Sequence, residues 1–257
     1  MSVTVINSPF RYPGGKFRAR SLICSLIPAH TNYVEPLAGG ASIFFAKAKV
    51  STNVLNDKDS DLMNCYIHIR DHVEDLIVHL KGEEATRERY DYYKNEYQTE
   101  TALERAVRWY YLNRTSFSGI MNPENCYWGY DDECSMRPQN WPGHLRRCSQ
   151  KLQGVKLSAD DFETVVKQAP NGAFLFVDPP YFGSGQARFY AQRFTENDHH
   201  RLASVLEQHN HRVHFLLTYD DCPEIRKQYA WANCLLELSF RECGDGLRIF
   251  SWLSNQV

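Results

Sequence analysis

Apolar and polar positions along the 257-residue chain follow two regimes. In the outer parts, short apolar runs alternate with amphipathic ones. Asn32-Tyr33-Val34, Asn53-Val54-Leu55, Val155-Lys156-Leu157, Ala173 to Val177, Val213 to Thr218, Leu235 to Phe240 and Leu247 to Leu253 predict strands. They are short, rich in β-branched and aromatic residues, and bounded by turn formers. Helices are predicted between them: about Ala41 to Val50, from Asp61 on the stripe Leu62, Ile69, Val73, Leu76, Ile77 and Leu80, at Phe162 to Ala169, and at Pro223 to Ala230. Thr195-x-x-Asp198 reads as a capping box opening a further helix through Glu207. This alternation predicts a mostly parallel sheet covered on both faces. Only Arg241 to Gly246 separates the last two strands, so these are predicted to pair antiparallel.

The middle of the chain breaks the rhythm. Glu83 to Asn113 is charged, tyrosine-rich and helical in pattern, whereas Arg114 to Arg147 is rich in Asn, Gly, Pro, Cys and Trp and shows no period. The expected organisation is an α/β body from residues 1–58 and 151–257, interrupted by an inserted lobe at 59–150.

Composition narrows the partners. A chain of this length with 43% hydrophobic residues can bury a full core. A net charge of −2 requires any nucleic-acid surface to be a local patch. Eight cysteines without a C-x-x-C pair argue against zinc and for reduced thiols in a cytosolic protein, so no metal is expected. Met1 to Arg11 lacks a signal-peptide pattern and no apolar run is long enough to cross a bilayer, so no membrane role is expected. His199-His200 and His209 with His211 lie in a polar helical stretch and read as a solvated face.

The candidate chemistry sits at the predicted strand ends. Asp178-Pro179-Pro180-Tyr181 follows the buried run Ala173 to Val177. Two prolines cannot extend the strand's hydrogen bonding, so the backbone must leave the sheet at Asp178. A carboxylate, a proline-flanked carbonyl and an aromatic ring in one rigid turn can hold a planar base that carries an amino group. A plain strand-to-turn exit is the alternative.

Upstream, Glu35-Pro36-Leu37-Ala38-Gly39-Gly40-Ala41-Ser42 joins a strand to a helix, and its glycines allow close backbone approach to a cofactor. It is neither a dinucleotide fingerprint nor a triphosphate loop, and Glu35 would repel phosphate. Asp57 ends the second strand, where a carboxylate commonly bonds ribose hydroxyls. Asp160-Asp161-Phe162 ends the third and offers either a purine contact or a helix cap. Arg11-Tyr12-Pro13-Gly14-Gly15-Lys16 puts a ring and an amine around a tight turn, suited to an amino-acid end. Together these groups fit an adenosine-plus-amino-acid ligand beside a base-amine clamp.

The ordered set Tyr12-Pro-Gly-Gly-Lys16, Val34-Glu-Pro-Leu-Ala-Gly-Gly40, Asn56-Asp57 with Ser60-Asp61-Leu62, Tyr111-Leu-Asn-Arg114 and Asp178-Pro-Pro-Tyr181 resembles the Dam-type (class alpha) DNA adenine methyltransferases. The similarity extends to Leu217-Thr218-Tyr219-Asp220-Asp221. It implies a seven-stranded, Rossmann-like S-adenosylmethionine-dependent methyltransferase sheet with an inserted helical DNA-recognition domain. The implied activity is sequence-specific transfer of a methyl group to the 6-amino group of a flipped adenine in double-stranded DNA. The implied setting is the cytoplasm of a bacterial or phage-infected cell, with a monomer as the default.

By the same resemblance Tyr12, Lys16, Glu35, Pro36, Leu37, Gly39, Gly40, Asp57, Asp161, Phe162 and Asp178 would hold S-adenosylmethionine. Asp178, Pro179, Pro180 and Tyr181 would be catalytic. Leu37-Ala38 and Ala41 depart from the family's aromatic and further glycine, and the turn Cys243 to Arg248 is less basic than usual. Basic residues crowd the insertion, including Arg105, Arg108, Arg137 and Arg146. Arg and Asn can read base edges and aromatics can wedge between bases, so Asn113, Arg114, Ser116, Asn122, Arg137 and Arg188 are the DNA-binding candidates. RNA adenine or DNA cytosine as acceptor, and a DNA-binding regulator without catalysis, are the competing readings.

Overall fold

The computed structural model describes residues 5–131, 133, 135–183, 189–239 and 246–252, with backbone alone from Cys234 on. Strand β1 (Asn32–Glu35) lies between β2 (Thr52–Asn56) and β4 (Phe174–Val177), β2 pairs with β3 (Lys156–Ser158), and β4 with β5 (His214–Asp220), all parallel. Strand β7 (Gly246–Trp252) runs antiparallel to β5, and β6 (Asn233–Ser239) antiparallel to β7. The sheet order is β3-β2-β1-β4-β5-β7-β6. The hairpin-like pairing predicted for the last two strands is present.

Among the described residues, five helices connect the strands or precede them: α1 (Arg20–Leu26), α2 (Ser42–Ala46), α8 (Phe162–Gln168), α9 (Glu196–His209) and α10 (Pro223–Gln228). The other five fall between β2 and β3: α3 (Ser60–Asp71), α4 (Val73–Leu80), α5 (Arg87–Asn95), α6 (Ala102–Thr115) and α7 (Trp141–Leu152). Side chains alternate across a strand, and β4 shows the consequence. Phe174 and Phe176 belong to one cluster with Tyr33, Leu55, Tyr66, Tyr110 and Trp141, while Leu175 and Val177 join Val34, Phe215, Leu202 and Val166 on the other face. Each such side chain contributes about 1.5–3 kcal/mol when fully buried. The helices after β2 share the first cluster with the sheet. None of the helices among the described residues is long and apolar enough to cross a membrane.

Three local expectations need correction. The helix expected from Ala41 to Val50 spans only Ser42–Ala46, because Ala41 is left-handed (φ 47°) and Lys47 is extended to lead the chain into β2. Glu83 to Asn113 is two helices, since a capping box between Thr101 and Glu104 restarts the helix as α6. Part of the stretch read as aperiodic is the start of α7, whose buried Trp141, Leu145, Cys148 and Leu152 keep helical spacing. The Asn-, Gly- and Pro-rich residues before it obscured that stripe.

From β1 the sheet grows through β2 and β3 in one direction and through β4 and β5 in the other. The C-terminal ends of β1 and β4 therefore open a crevice at the switch point, where open α/β sheets bind ligands.

Candidate active site

The first wall of the crevice is the turn after β1. Glu35 is buried, and one of its oxygens accepts from the Tyr33 hydroxyl at 2.7 Å and the Phe44 amide at 2.9 Å, tying α2 to the strand end. Burial pushes its carboxyl up to about 8, against the pull of these bonds and of Lys47. Gly39, at φ +47°, donates to Asp57 at 2.9 Å. A Cβ on Gly39 would stand 2.6 Å from the Tyr12 ring, and one on Gly40 2.8 Å from Tyr12 Cβ. The glycines thus make room for the protein's own tyrosine, which covers the loop.

Asn56 holds three strand ends together and escaped the sequence reading as a structural device. Its Nδ2 donates to the carbonyls of Pro36 and Asp160, each at 2.9 Å, and its Oδ1 accepts from Ser158 and the Asp160 amide. Asp57 beside it accepts from Gly39 and Asp59, and burial raises its carboxyl to about 6.

The second wall is the end of β4. Asp178 receives Lys16 Nζ at 2.6 Å and 2.7 Å on its two oxygens, and the Thr218 hydroxyl from β5 donates to one of them. Lys16 is 7% exposed, bonds Gly14 O at 2.7 Å and lies 4.9 Å from the centroid of the Tyr181 ring. Phe182 N donates to Asp220 at 3.2 Å, holding the turn beyond the two prolines against β5. Behind Tyr181, at 6.2 Å between ring centroids, lies Tyr219, whose hydroxyl bonds His199. His199 is buried, not on a solvated face, and burial lowers its imidazole to about 4, so the ring is neutral at physiological pH. The helical pattern carried no hint of this, because the Tyr219 partner arrives from a distant strand.

One cavity of about 490 Å³ joins these walls, and Tyr12, Leu37, Gly39, Asp57, Phe162 and Asp178 all border it. Glu35, Gly40 and Pro180 border it too, whereas Lys16, Pro36, Pro179, Tyr181 and Asp161 stand outside its lining. Asp161 caps α8 through the Glu163 amide at 3.0 Å and pairs with Arg201 at 2.7 Å, so the helix-cap alternative holds for it. Phe162 does face the cavity, packed between Phe194 (5.6 Å) and the Arg201 guanidinium (4.9 Å). Phe194 and Tyr190 were missed. Tyr190 packs against Tyr12 at 5.8 Å and donates to Pro13 O at 3.3 Å, contacts invisible to local pattern.

The DNA-binding candidates divide. Asn113 is fully buried: Oδ1 accepts from Arg11 N at 3.0 Å, and Nδ2 donates to Arg11 O at 2.7 Å and Gly119 O at 3.3 Å. Its amide is consumed by backbone, so it is not offered to a duplex. Ser116 is likewise buried, and Arg114, 5% exposed, faces the cavity instead of the surface. Arg108 bonds the carbonyls of Tyr93 and Lys94, and Arg146 pairs with Glu74 at 2.7 Å. Arg137 is exposed and Asn122 partly so, its side chain accepting from the Glu124 amide at 3.0 Å. Arg188 and the residues 243–245 of the closing turn lie outside the described residues.

A sheet with a strand-end carboxylate at its switch point, joined to a glycine turn and a second strand-end carboxylate, defines a class of ligand-binding α/β enzyme. Residues 12–241 match the family described as D12 class N6 adenine-specific DNA methyltransferases, and the chain belongs to that family. It is 28% identical over 221 residues to the type II methyltransferase M1.LlaDCHI of Lactococcus lactis subsp. cremoris, covering 78% of this chain and 76% of that one. It is 27% identical over 233 residues to the DNA N-6-adenine-methyltransferase of Escherichia phage P1, covering 86% of this chain and 31% of that one. The DNA adenine methylase of Escherichia coli is 24% identical over 212 residues, with 77% of this chain and 74% of that one covered. The activity is S-adenosylmethionine-dependent methylation of adenine in DNA.

Proposed function

We propose that the corner Asp178 to Tyr181 grips the exocyclic amino group of an adenine extruded from duplex DNA, within a seven-stranded methyltransferase sheet, and that residues 59–150 read the surrounding sequence. The observation that carries this is Asp178 itself: a carboxylate at the end of a parallel strand, held by Thr218 and bordering the same cavity as Gly39 and Asp57.

The residues present fit the donor. Asp57 can accept from ribose hydroxyls, Phe162 and Phe194 offer faces to a purine, and the cavity volume lies in the range of cofactor sites. When bound, the donor supplies an electrophilic methyl group on a sulfonium. The chain's own task is to present a nucleophile to it. Adenine's amino nitrogen is weakly nucleophilic because its lone pair is delocalised into the ring. Asp178 Oδ2 and the Pro179 carbonyl accept hydrogen bonds from its two N–H groups and favour a pyramidal nitrogen with the lone pair free. The nitrogen is cationic once methylated and sheds one of those protons readily, so Asp178 need not be a strong base. Thr218 keeps the carboxylate in place while the Lys16 ammonium gives up its bond to Asp178 as the amino group arrives. Tyr181, backed by Tyr219 and His199, stacks on the base. Positioning and electrostatics carry the rate.

On the recognition side, a bridge between Ser116 and Trp128 presents Phe117 and Tyr127, each 60% exposed, at the base of the loop that contains Asn122. Exposed rings of this kind can enter a base step, and Arg137 can reach a base edge or phosphate. The reading fits a single-chain enzyme acting on bacterial or phage DNA, the sources of the relatives above.

Asp178→Ala should lower methyl transfer to duplex DNA by roughly three orders of magnitude, the scale of a lost preorganised contact, while S-adenosylhomocysteine still binds. Tritium transfer from labelled donor and calorimetric binding measure the two. Full activity in Asp178→Ala would remove the mechanism.

A further inference from the structure

Arg114 is a buried cation to which no carboxylate among the described residues supplies a counter-charge. It lies in the last turn of α6 at 5% exposure, its Nε has no hydrogen-bond partner, and no carboxylate pairs with it among the described residues. Its buried surroundings are Tyr110, His144 and Cys148, none of them an anion at neutral pH: burial raises the Tyr110 and Cys148 groups and lowers the His144 imidazole. A guanidinium out of water without an acceptor is costly to maintain. Its open side is the cavity, which it borders.

Contacts fix which end of the cavity this is. Gly39 bonds Asp57, and Gly40 follows it. The Cβ position of Gly40 lies 3.6 Å from Ser8 Oγ, and Ser8 O bonds His144, whose imidazole is close enough to Arg114 for the guanidinium charge to lower it further. Arg114, which borders the cavity together with Ser8 and Gly40, is thereby tied to the Gly40–Ser8 end. The other buried cation of the site, Lys16, is already neutralised by Asp178.

We infer that Arg114 binds the carboxylate of the amino-acid end of S-adenosylmethionine. A guanidinium fork matches a carboxylate with two parallel charge-assisted bonds. A backbone phosphate of DNA would have to penetrate to a group that is almost wholly enclosed, which favours the small ligand. This deepens the reading of the cavity as the donor's site and rests on it.

The test is calorimetric binding of S-adenosylhomocysteine and of its decarboxylated form, which keeps the amine, to the full chain and to Arg114→Met and Arg114→Lys. The unmodified protein should prefer the carboxylate-bearing ligand by roughly 10–100-fold, the worth of charged hydrogen bonds. Arg114→Met should lose that preference with its affinity for the decarboxylated ligand unchanged, and Arg114→Lys should keep part of it. Indifference of the unmodified protein to the carboxylate overturns the inference. So does equal weakening of both ligands in either variant, or weakening of duplex DNA binding alone. If Arg114→Met fails to fold, the lysine variant decides by the same ratio. If the unmodified protein binds neither ligand, or Asp57→Ala leaves both affinities untouched, the cavity assignment fails along with it.

Discussion

The end of β4 and the end of α6 look alike in sequence: each closes an apolar segment with a polar cluster, Asp178-Pro179-Pro180-Tyr181 in one and Asn113-Arg114-Thr115-Ser116 in the other. Their fates differ. At β4 the prolines end the ladder and the carboxylate borders a cavity, held by one residue from β5 and one from the N-terminal turn. At α6 the helix continues through Thr115, and Asn113 turns inward to satisfy the backbone of Arg11. Strand direction tells where a parallel strand's last side chain goes, because the sheet simply stops there. No such rule governs a helix end, whose surroundings are set by whichever segment packs across it.

The comparison can be broken most forcefully at Asn113. Asn113→Leu removes three hydrogen bonds made by a buried side chain and should destabilise the fold by about 2–4 kcal/mol in thermal or urea unfolding. It should also weaken S-adenosylhomocysteine binding, because the Arg11–Tyr12 segment would no longer be held over Gly39. Unchanged stability with altered DNA sequence preference would make the residue a base reader after all.

A smaller effect is expected at the strand-end loop. Gly39→Ala combines left-handed strain of about 1–2 kcal/mol with a collision against the Tyr12 ring. Cofactor-product affinity measured by calorimetry should fall about tenfold. An alanine variant that binds normally would show that Tyr12 does not need to lie on the loop.

The mildest effect concerns Glu35 and pH. Burial raises its carboxyl from 4.5 to about 8. A folded-state value above the unfolded one means that its contribution is fully present below pH 4.5 and is lost as pH rises through about 8. Glu35→Gln can still accept the Tyr33 and Phe44 bonds but carries no charge. The melting temperature of the variant relative to the unmodified protein should therefore rise steadily from pH 4.5 to about 8. A pH-independent difference would mean that the Lys47 ammonium keeps Glu35 ionised throughout.

Much of the catalytic half was legible because its signals are local. The alternation of strands and helices, the Thr195–Asp198 capping box and the proline exit after β4 each follow from a few neighbouring residues. The misreadings share a different cause. Asp161 is engaged by Arg201, His199 went into the core against Tyr219, and Asn113 closed on Arg11, each through a partner 20 or more residues away.

The order of elements, the strand-end carboxylates Asp57 and Asp178 and the family of the chain were determined by sequence alone, since backbone sterics and side-chain periodicity act over a few residues. Which polar groups face the cavity and which are spent inside the fold was decided only by tertiary structure. A buried donor or acceptor must find a partner, and that partner is supplied by packing between distant segments.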